Sequence, residues 1–549
     1  MRPRPGSATT PRSGRSGRAP TRWRASPPSS RAVRRTGGPA DGRSLPRHRS
    51  RRVPAVTSVA IIGSGFGGIA AAVRLKEAGV TDLVLFEKSS DVGGVWRENT
   101  YPGAACDVPS HLYSLSFAPK ADWSRRFAPQ AEIHQYLRDV ARDFGVLPHI
   151  RFGSEVLSAR FDEGRARWRL TLSGGGEHEA DVLVTATGQL SRPSRPDVPG
   201  LDTFEGTLFH SATWDHGHDL TGERVAVLGT GASAVQFVPA IAPRTAHLTV
   251  FQRSAPYVLP KPDRAYRERA KKAFARVPGL LRLSREANYV SNELRSLGFN
   301  TEPRLLFAHR AAYRKYLARS VADPVLREKL TPTDPMGCKR ILMSNDWYAA
   351  LQRPDVEVVT DRVTEVRPHS IVTADGTERE VDTIVLGTGF AATEFLAPIR
   401  ITGRGGRVLH EQWADGASAY LGTVVPGFPN FFVLYGPNTN LGHNSIIFML
   451  EAQVRWVVQA VRHLERGRVR WLEVRRDVAE AFDAWVQRRV RGTVFAGGCR
   501  SWYLTESGRN TQNWPASTIT FRRRLHRLRP EDFAPAPAAV PEGAGRAAR

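Results

Sequence analysis

The chain has 549 residues, 41% of them hydrophobic, and a formal net charge of +26; this length is too great for one ordinary core and predicts two to three domains of roughly 150 residues each. The charge suggests nucleic-acid binding until it is located: residues 1–52 hold fifteen Arg and one acid, Asp41, so that segment carries +14 and the remaining residues +12. No nucleic-acid recognition motif accompanies it, and no run of 18 uncharged apolar residues marks a membrane span, so both classes are argued against.

Residues 1–52 form a leader dominated by Arg, Pro, Gly and Ser, too poor in apolar residues to offset its ordering entropy, and it is expected to be disordered and dispensable for the fold. A basic anchoring arm, a transit-like targeting segment and a start assigned upstream of the true one all remain open as its origin. Arg51 and Arg52 before an apolar stretch imitate a twin-arginine export signal, but the glycines at 63, 65, 67 and 68 make that stretch a nucleotide-binding turn. From Ser58, SVAIIGSGFGGIAAAVRLKEAG reads as strand, glycine turn and helix, and the following strand, Asp82 to Phe86, ends at Glu87. A second such unit opens at Glu223 with ERVAVLGTGASAVQFVPAIA and is followed by the strand His247 to Phe251. Between 264 and 329 the charge-rich pattern with apolar residues every three or four positions predicts amphipathic helices inserted into the second unit. Asp382 to Gly389 (DTIVLGTG) mirrors Asp181 to Gly188 (DVLVTATG), two buried strands where the chain crosses between domains.

The expected fold class is α/β, with two Rossmann-like dinucleotide-binding domains. The first takes residues 53–196 and, after the chain returns, 385–533; the second takes 197–384 with its helical insertion; 534–549 is an Ala/Pro/Gly-rich tail. Cys106, Cys338 and Cys499 lie far apart with no CxxC pair and no metal-ligand spacing, so neither a structural disulfide nor a metal site is expected, and the cytoplasm is the default compartment.

At the first turn Gly63 permits the bend, Gly65 lets the backbone approach a pyrophosphate, and Gly68 lets helix and strand pack closely. An acid, Glu87, stands 22 residues beyond Gly65, placed to accept hydrogen bonds from a ribose diol. That predicts FAD or NAD, a dinucleotide without a 2′-phosphate. The second turn, with Gly229, Gly231, Ser233 and Ala234, is followed at the end of its second strand by Gln252-Arg253 and no carboxylate. An arginine there attracts a phosphate that an acid would repel, so this site is predicted to take NADPH.

Between the turns, Phe204-Glu-Gly206-Thr-Leu-Phe-His210-Ser-Ala-Thr-Trp214-Asp215 resembles the FxGxxxHxxxW(P/D) signature of the class B flavoprotein monooxygenases, and within them the type I Baeyer-Villiger monooxygenases. Gly93-Gly94-Val-Trp96 through Tyr101-Pro-Gly to Asp107 is similar to that family's GGxWxxxxYPGxxxD loop along the flavin. The turn Tyr435-Gly-Pro-Asn438-Thr-Asn440-Leu-Gly442-His443-Asn444 resembles the 4-hydroxyacetophenone monooxygenase-like subgroup. Ser501-Trp502-Tyr503 resembles the mobile loop whose Trp closes over the nicotinamide. The resemblance spans about Ser58 to Phe533 and implies FAD, NADPH and O2 as reactants, with a ketone oxidised to an ester or lactone through a C4a-peroxyflavin. It also implies roles in the site. Arg340 would hold the peroxide and the tetrahedral intermediate, Lys339 the 2′-phosphate, and Asp107 would orient Arg340. Gly94, Trp96 and Tyr113 would flank the flavin, and His210 would sit at the domain junction away from the chemistry. The runner-up activity is the flavin-containing monooxygenase type, oxygen transfer to a soft nitrogen or sulfur; a disulfide reductase would need a redox CxxC, which is missing. Aromatic, cyclic and terpenoid or steroid ketones all stay open as substrates.

Overall fold

The computed structural model describes residues 57–535 except 303, 467, 468 and 500. The expected leader 1–52 and nearly all of the tail 534–549 lie outside the described residues. The first parallel sheet runs Phe431–Val433, Val182–Thr185, Val59–Ile62, Leu83–Phe86, Ile150–Arg151. Val59–Ile62 is buried at every position, as its unbroken apolar run requires of a central parallel strand covered on both faces. Helix Phe66–Glu77 covers one face, its alanines and glycines allowing close contact with helix Ile446–Glu465.

The second parallel sheet has the order Val356–Val359, His247–Phe251, Arg224–Leu228, Thr383–Leu386, Thr207–His210. Helix Ala232–Ile241 follows its glycine turn. Because Thr383–Leu386 hydrogen-bonds on both sides inside this sheet, the chain leaves it a few residues beyond the expected boundary at 384. Helices Glu268–Arg276, Leu280–Leu294, Leu305–Ser320 and Pro324–Lys329, with a π-turn at Leu297–Thr301, fill the stretch after the second sheet's middle strands.

Two smaller sheets were not expected. Val156–Asp162, Arg167–Leu172 and Glu177–Ala180 form an antiparallel meander that Arg400–Thr402 joins in parallel. Val363–Arg367, Ser370–Thr373 and Glu378–Glu380 form a three-stranded meander. Sequence patterning missed them because their strands are only partly buried, with charged residues on outward positions, and lack the unbroken apolar runs by which the central parallel strands are read. A two-residue parallel ribbon, Val258–Leu259 with Leu342–Met343, sets side by side the segments that carry Lys261 and Arg340. Among the described residues no helix is long and apolar enough to cross a membrane.

Candidate active site

A cavity of about 1740 Å³ lies against both glycine turns. That exceeds the roughly 300–1,000 Å³ of a site for one drug-sized ligand and is room for two dinucleotides and a further small molecule. At the first turn Gly63 has φ +100°, and a Cβ on Gly68 would stand 1.9 Å from the Gly63 carbonyl oxygen. Gly68 therefore faces the strand and does not line the cavity. Gly65 does line it, and it faces Gly94 so closely that the nearest atom to an added Cβ would be the Gly94 Cα at 3.7 Å. The two bare backbones leave a floor that any side chain would fill, a cradle fitted to a pyrophosphate. Glu87 is buried, and its Oε2 accepts from the Ser64 N–H at 2.9 Å and the Ser64 hydroxyl at 2.7 Å. Its Oε1 accepts from the Ser89 N–H at 3.0 Å, so the carboxylate is held at the cavity wall with lone pairs to spare for a diol.

The second turn repeats the design. Gly229 has φ +109° and packs against the Gly387 carbonyl, while a Cβ on Gly231 would meet only that oxygen at 3.8 Å and would project into the cavity. Ser233 and Gln252 line the wall beside it; the Gln252 amide nitrogen donates to the Lys329 carbonyl, and its Oε1 is buried without a partner among the described residues. Arg253 and Lys339 also line the cavity. The Lys339 ammonium donates to the Ser254 hydroxyl at 2.8 Å and pairs with Asp334 at 2.6 Å, which brings it to the residue next to Arg253.

Arg340 lines the same cavity. Its Nη2 donates to Asp107 Oδ2 at 3.1 Å, and 45% of its side-chain surface is open to the cavity. Burial pulls its protonation down, but Asp107 and the neighbouring Tyr503, Cys106 and Tyr435 outweigh this and leave it above the ordinary guanidinium range. Asp107 has a second cation that sequence reasoning missed: Lys261 Nζ stands 3.2 Å from Oδ1, with both side chains only 12% exposed. Trp96 and Tyr113 line the wall by the first turn, the indole N–H donating to the phenol oxygen at 3.1 Å. Trp502 lines the cavity on another side. His210 does not line it; its Nδ1 accepts from the Ala212 N–H and caps a short 3-10 turn. Among the described residues no cluster of side chains could hold a metal ion.

The expectation of no disulfide is overturned. Cys338 and Cys499, 161 residues apart, are bonded with a Cα–Cα distance of 6.2 Å. Spacing rules see only nearby cysteines, whereas this bridge depends on two loops meeting in three dimensions. It joins the loop that presents Lys339 and Arg340 to the loop that leads to Trp502. Cys106 remains a free, buried thiol, and burial pushes its pKa up to about 12. A thiol with so raised a pKa is protonated throughout the neutral range and is not a nucleophile. Alkylation of the native protein at pH 7 to 8, read by peptide mass spectrometry, should leave Cys106 unlabelled until the protein is denatured; rapid native labelling would contradict its burial.

Two nucleotide-binding turns open on one cavity that Arg340, anchored by Asp107, also lines, an arrangement that fits a flavin-binding monooxygenase. The profile of the family described as Flavin-binding monooxygenase-like matches residues 56–269. A Baeyer-Villiger monooxygenase of Streptomyces coelicolor is 46% identical over 488 residues, 88% of this chain and 94% of its own. Among solved structures, a steroid monooxygenase bound to NADP is 34% identical with a TM-score of 0.77, covering 87% of this chain and 99% of its own. OTEMO, solved in complex with FAD and NADP, is 29% identical with a TM-score of 0.78 over 86% of this chain and 98% of its own. The chain belongs to the Baeyer-Villiger monooxygenase family, type I.

Proposed function

We propose that this protein oxidises a ketone to an ester or lactone with NADPH and O2, holding FAD at the first glycine turn and NADPH at the second. The observation that carries the reading is Arg340, a permanently charged group that lines the cavity shared by the two turns and is anchored by Asp107. Bound FAD would pass to O2 the two electrons it takes from NADPH, and O2 would provide the nucleophilic oxygen. The chain's own residues do the rest. Gly65 and Gly94 let the backbone approach the FAD pyrophosphate, Gly63 and Gly68 shape that turn, and Glu87 accepts from the ribose. Trp96 and Tyr113 flank the ring system. Gly229, Gly231 and Ser233 hold the second pyrophosphate, while Gln252, Arg253 and Lys339 receive the 2′-phosphate. Trp502 covers the nicotinamide.

Arg340 would stabilise the negative charge that develops on the attacked carbonyl oxygen. A fixed cation needs no proton transfer to act and little reorganisation, which is why such preorganised charge is effective. Asp107 keeps the guanidinium from swinging, and Lys261 offsets the Asp107 charge so that the arginine's field is not spent on its own anchor.

The purified protein should be incubated with NADPH and a panel of aromatic, cyclic and terpenoid or steroid ketones under labelled O2. An ester carrying one labelled atom is expected. Sulfoxides or N-oxides formed with no ester from any ketone would favour oxygen transfer to soft nucleophiles instead. Arg253→Ala should raise KM for NADPH by roughly tenfold or more, the scale of a lost charge-assisted hydrogen bond, and leave KM for NADH nearly unchanged. Equal losses with both cofactors would mean that Arg253 does not read the phosphate.

A further inference from the structure

Helix Leu280–Leu294 turns its polar side toward the rest of the protein. Arg285 donates to the carbonyls of His111, Leu112 and Ser114 and lies 3.7 Å from Glu451. The Ser284 hydroxyl pairs with His111 Nδ1 at 2.8 Å, the Tyr289 and Thr518 hydroxyls share a hydrogen bond of 2.8 Å, and Glu293 accepts from the Thr518 N–H and the Asn444 amide, each at 2.7 Å. The apolar residues point the other way. Leu283, Ala287, Val290 and Leu294, spaced four, three and four apart, form one exposed stripe, and Leu297 continues it past the helix end. Leu283 is 65% exposed, Val290 52%, Leu294 62% and Leu297 50%. Five of the ten large apolar side chains that stand exposed among the described residues fall between 277 and 297. Exposed leucines scattered singly need no explanation, but a row of them along about 20 Å of helix marks a surface that something covers.

Two observations say what kind of surface fits it. The first is charge. Between 264 and 297 seven Lys and Arg stand exposed against two acids, Glu268 and Glu286. Arg282 and Arg295 fall on opposite flanks of the stripe at about 3.6 residues per turn, and Arg269, Lys272 and Arg276 lie on and just after the turns of helix Glu268–Arg276, which packs against this one. An apolar stripe flanked by cations matches a surface that is apolar within and anionic at its face, which is a bilayer with anionic headgroups. The second is position. Leu294 and Leu297 belong both to the stripe and to the lining of the main cavity, so the stripe runs to the cavity's rim. A protein seated along the stripe would close that rim, whereas a fluid bilayer would supply it with the apolar molecules dissolved in it.

We propose that the face formed by Leu283, Ala287, Val290, Leu294 and Leu297 docks on an anionic lipid surface, the helix lying along the interface with its flanking arginines on the headgroups. The attachment is peripheral, for among the described residues no helix is long and apolar enough to cross a membrane. It goes beyond the oxidation proposed above and does not depend on it.

The test is co-sedimentation of the full FAD-loaded chain with vesicles of phosphatidylcholine alone or mixed equally with phosphatidylglycerol. Residues 1–52 carry +14 and are common to every variant, and their attraction to anionic vesicles is screened by salt, so binding is read at low and at high salt. The unmodified protein should bind the mixed vesicles more tightly than the neutral ones and keep part of that binding in high salt. Leu283→Ser combined with Val290→Ser, a change that alters no charge and touches no cavity-lining residue, should weaken binding by about tenfold or more at both salts, the scale of one apolar side chain left in water. Its flavin content and Tm should not fall, since both side chains are already exposed. Arg276→Gln combined with Arg282→Gln should weaken binding at low salt alone. A Val290→Cys variant carrying a polarity-sensitive dye should shift to shorter emission wavelength when mixed vesicles are added; Cys106 is buried and the other two cysteines are bonded, so the label goes to one place. Equal binding by the unmodified protein and the double serine variant, or an unshifted dye, overturns the proposal. So does a dimer on gel filtration that the double serine variant dissolves, which would make the stripe a contact between copies of this chain.

Discussion

Arg340→Ala should end ester formation while NADPH still bleaches the flavin absorbance and O2 restores it, with the reducing equivalents emerging as hydrogen peroxide. Attack on a ketone places negative charge on the carbonyl oxygen, and Arg340 lines the cavity on which the two nucleotide turns open, with Asp107 as its anchor. Hydride transfer needs correct stacking of two rings and no such cation, so the reductive half of the cycle should survive in large part. Loss of a preorganised charge costs on the order of 3 kcal/mol or more, over a hundredfold in rate. Arg340→Lys should recover little, because an ammonium cannot reproduce the planar fork that meets Asp107 and the substrate together. Stopped-flow flavin reduction measured beside product yield on any accepted ketone distinguishes these outcomes. Near-normal ester yield in the alanine variant would remove Arg340 from the chemistry.

Gly68→Ala should strip the protein of FAD and lower its Tm. The added Cβ would stand 1.9 Å from the Gly63 carbonyl oxygen, which belongs to backbone at the tightest point of the turn and has no rotamer to escape into. Either the helix lifts from the strand or the turn opens, and both displace the N-H groups aimed at the pyrophosphate. The cost should be at or beyond the ~3 kcal/mol upper range of ordinary overpacking. The neighbouring Gly67→Ala is the control, since its Cβ would meet side-chain atoms of Ala186 and Leu450 at 3.5 Å, an ordinary contact. Flavin absorbance per protein after gel filtration reads both. A fully flavinated Gly68→Ala variant with an unmoved Tm would show that the close approach is not needed.

The parts of this molecule that the sequence makes legible are the contiguous ones. Gly63, Gly65, Gly68 and Glu87 lie within 25 consecutive residues, and strand, turn, helix and acid each leave a local mark. Gly229, Gly231 and the Gln252-Arg253 pair are readable for the same reason. What stayed hidden depends on long-range approach. Lys261 reaches Asp107 across 154 residues, and its only local sign is a lysine between two prolines. The small meanders, with charged residues on their outward faces, lack the unbroken apolar runs that mark the central parallel strands. The resemblance to a known family supplied Arg340, since nothing in Met336 to Leu342 distinguishes that arginine from a surface charge.

The bond between Cys338 and Cys499 has a mechanical consequence. Arg340 lies two residues from one sulfur and Trp502 three residues from the other. The bridge is therefore a coupling rod between the segments that carry Trp502 and Arg340. If Trp502 covers the dinucleotide as proposed, a loop that lifts to exchange it would carry the arginine loop along, and opening for cofactor exchange and dismantling of the oxygenating site would be a single movement.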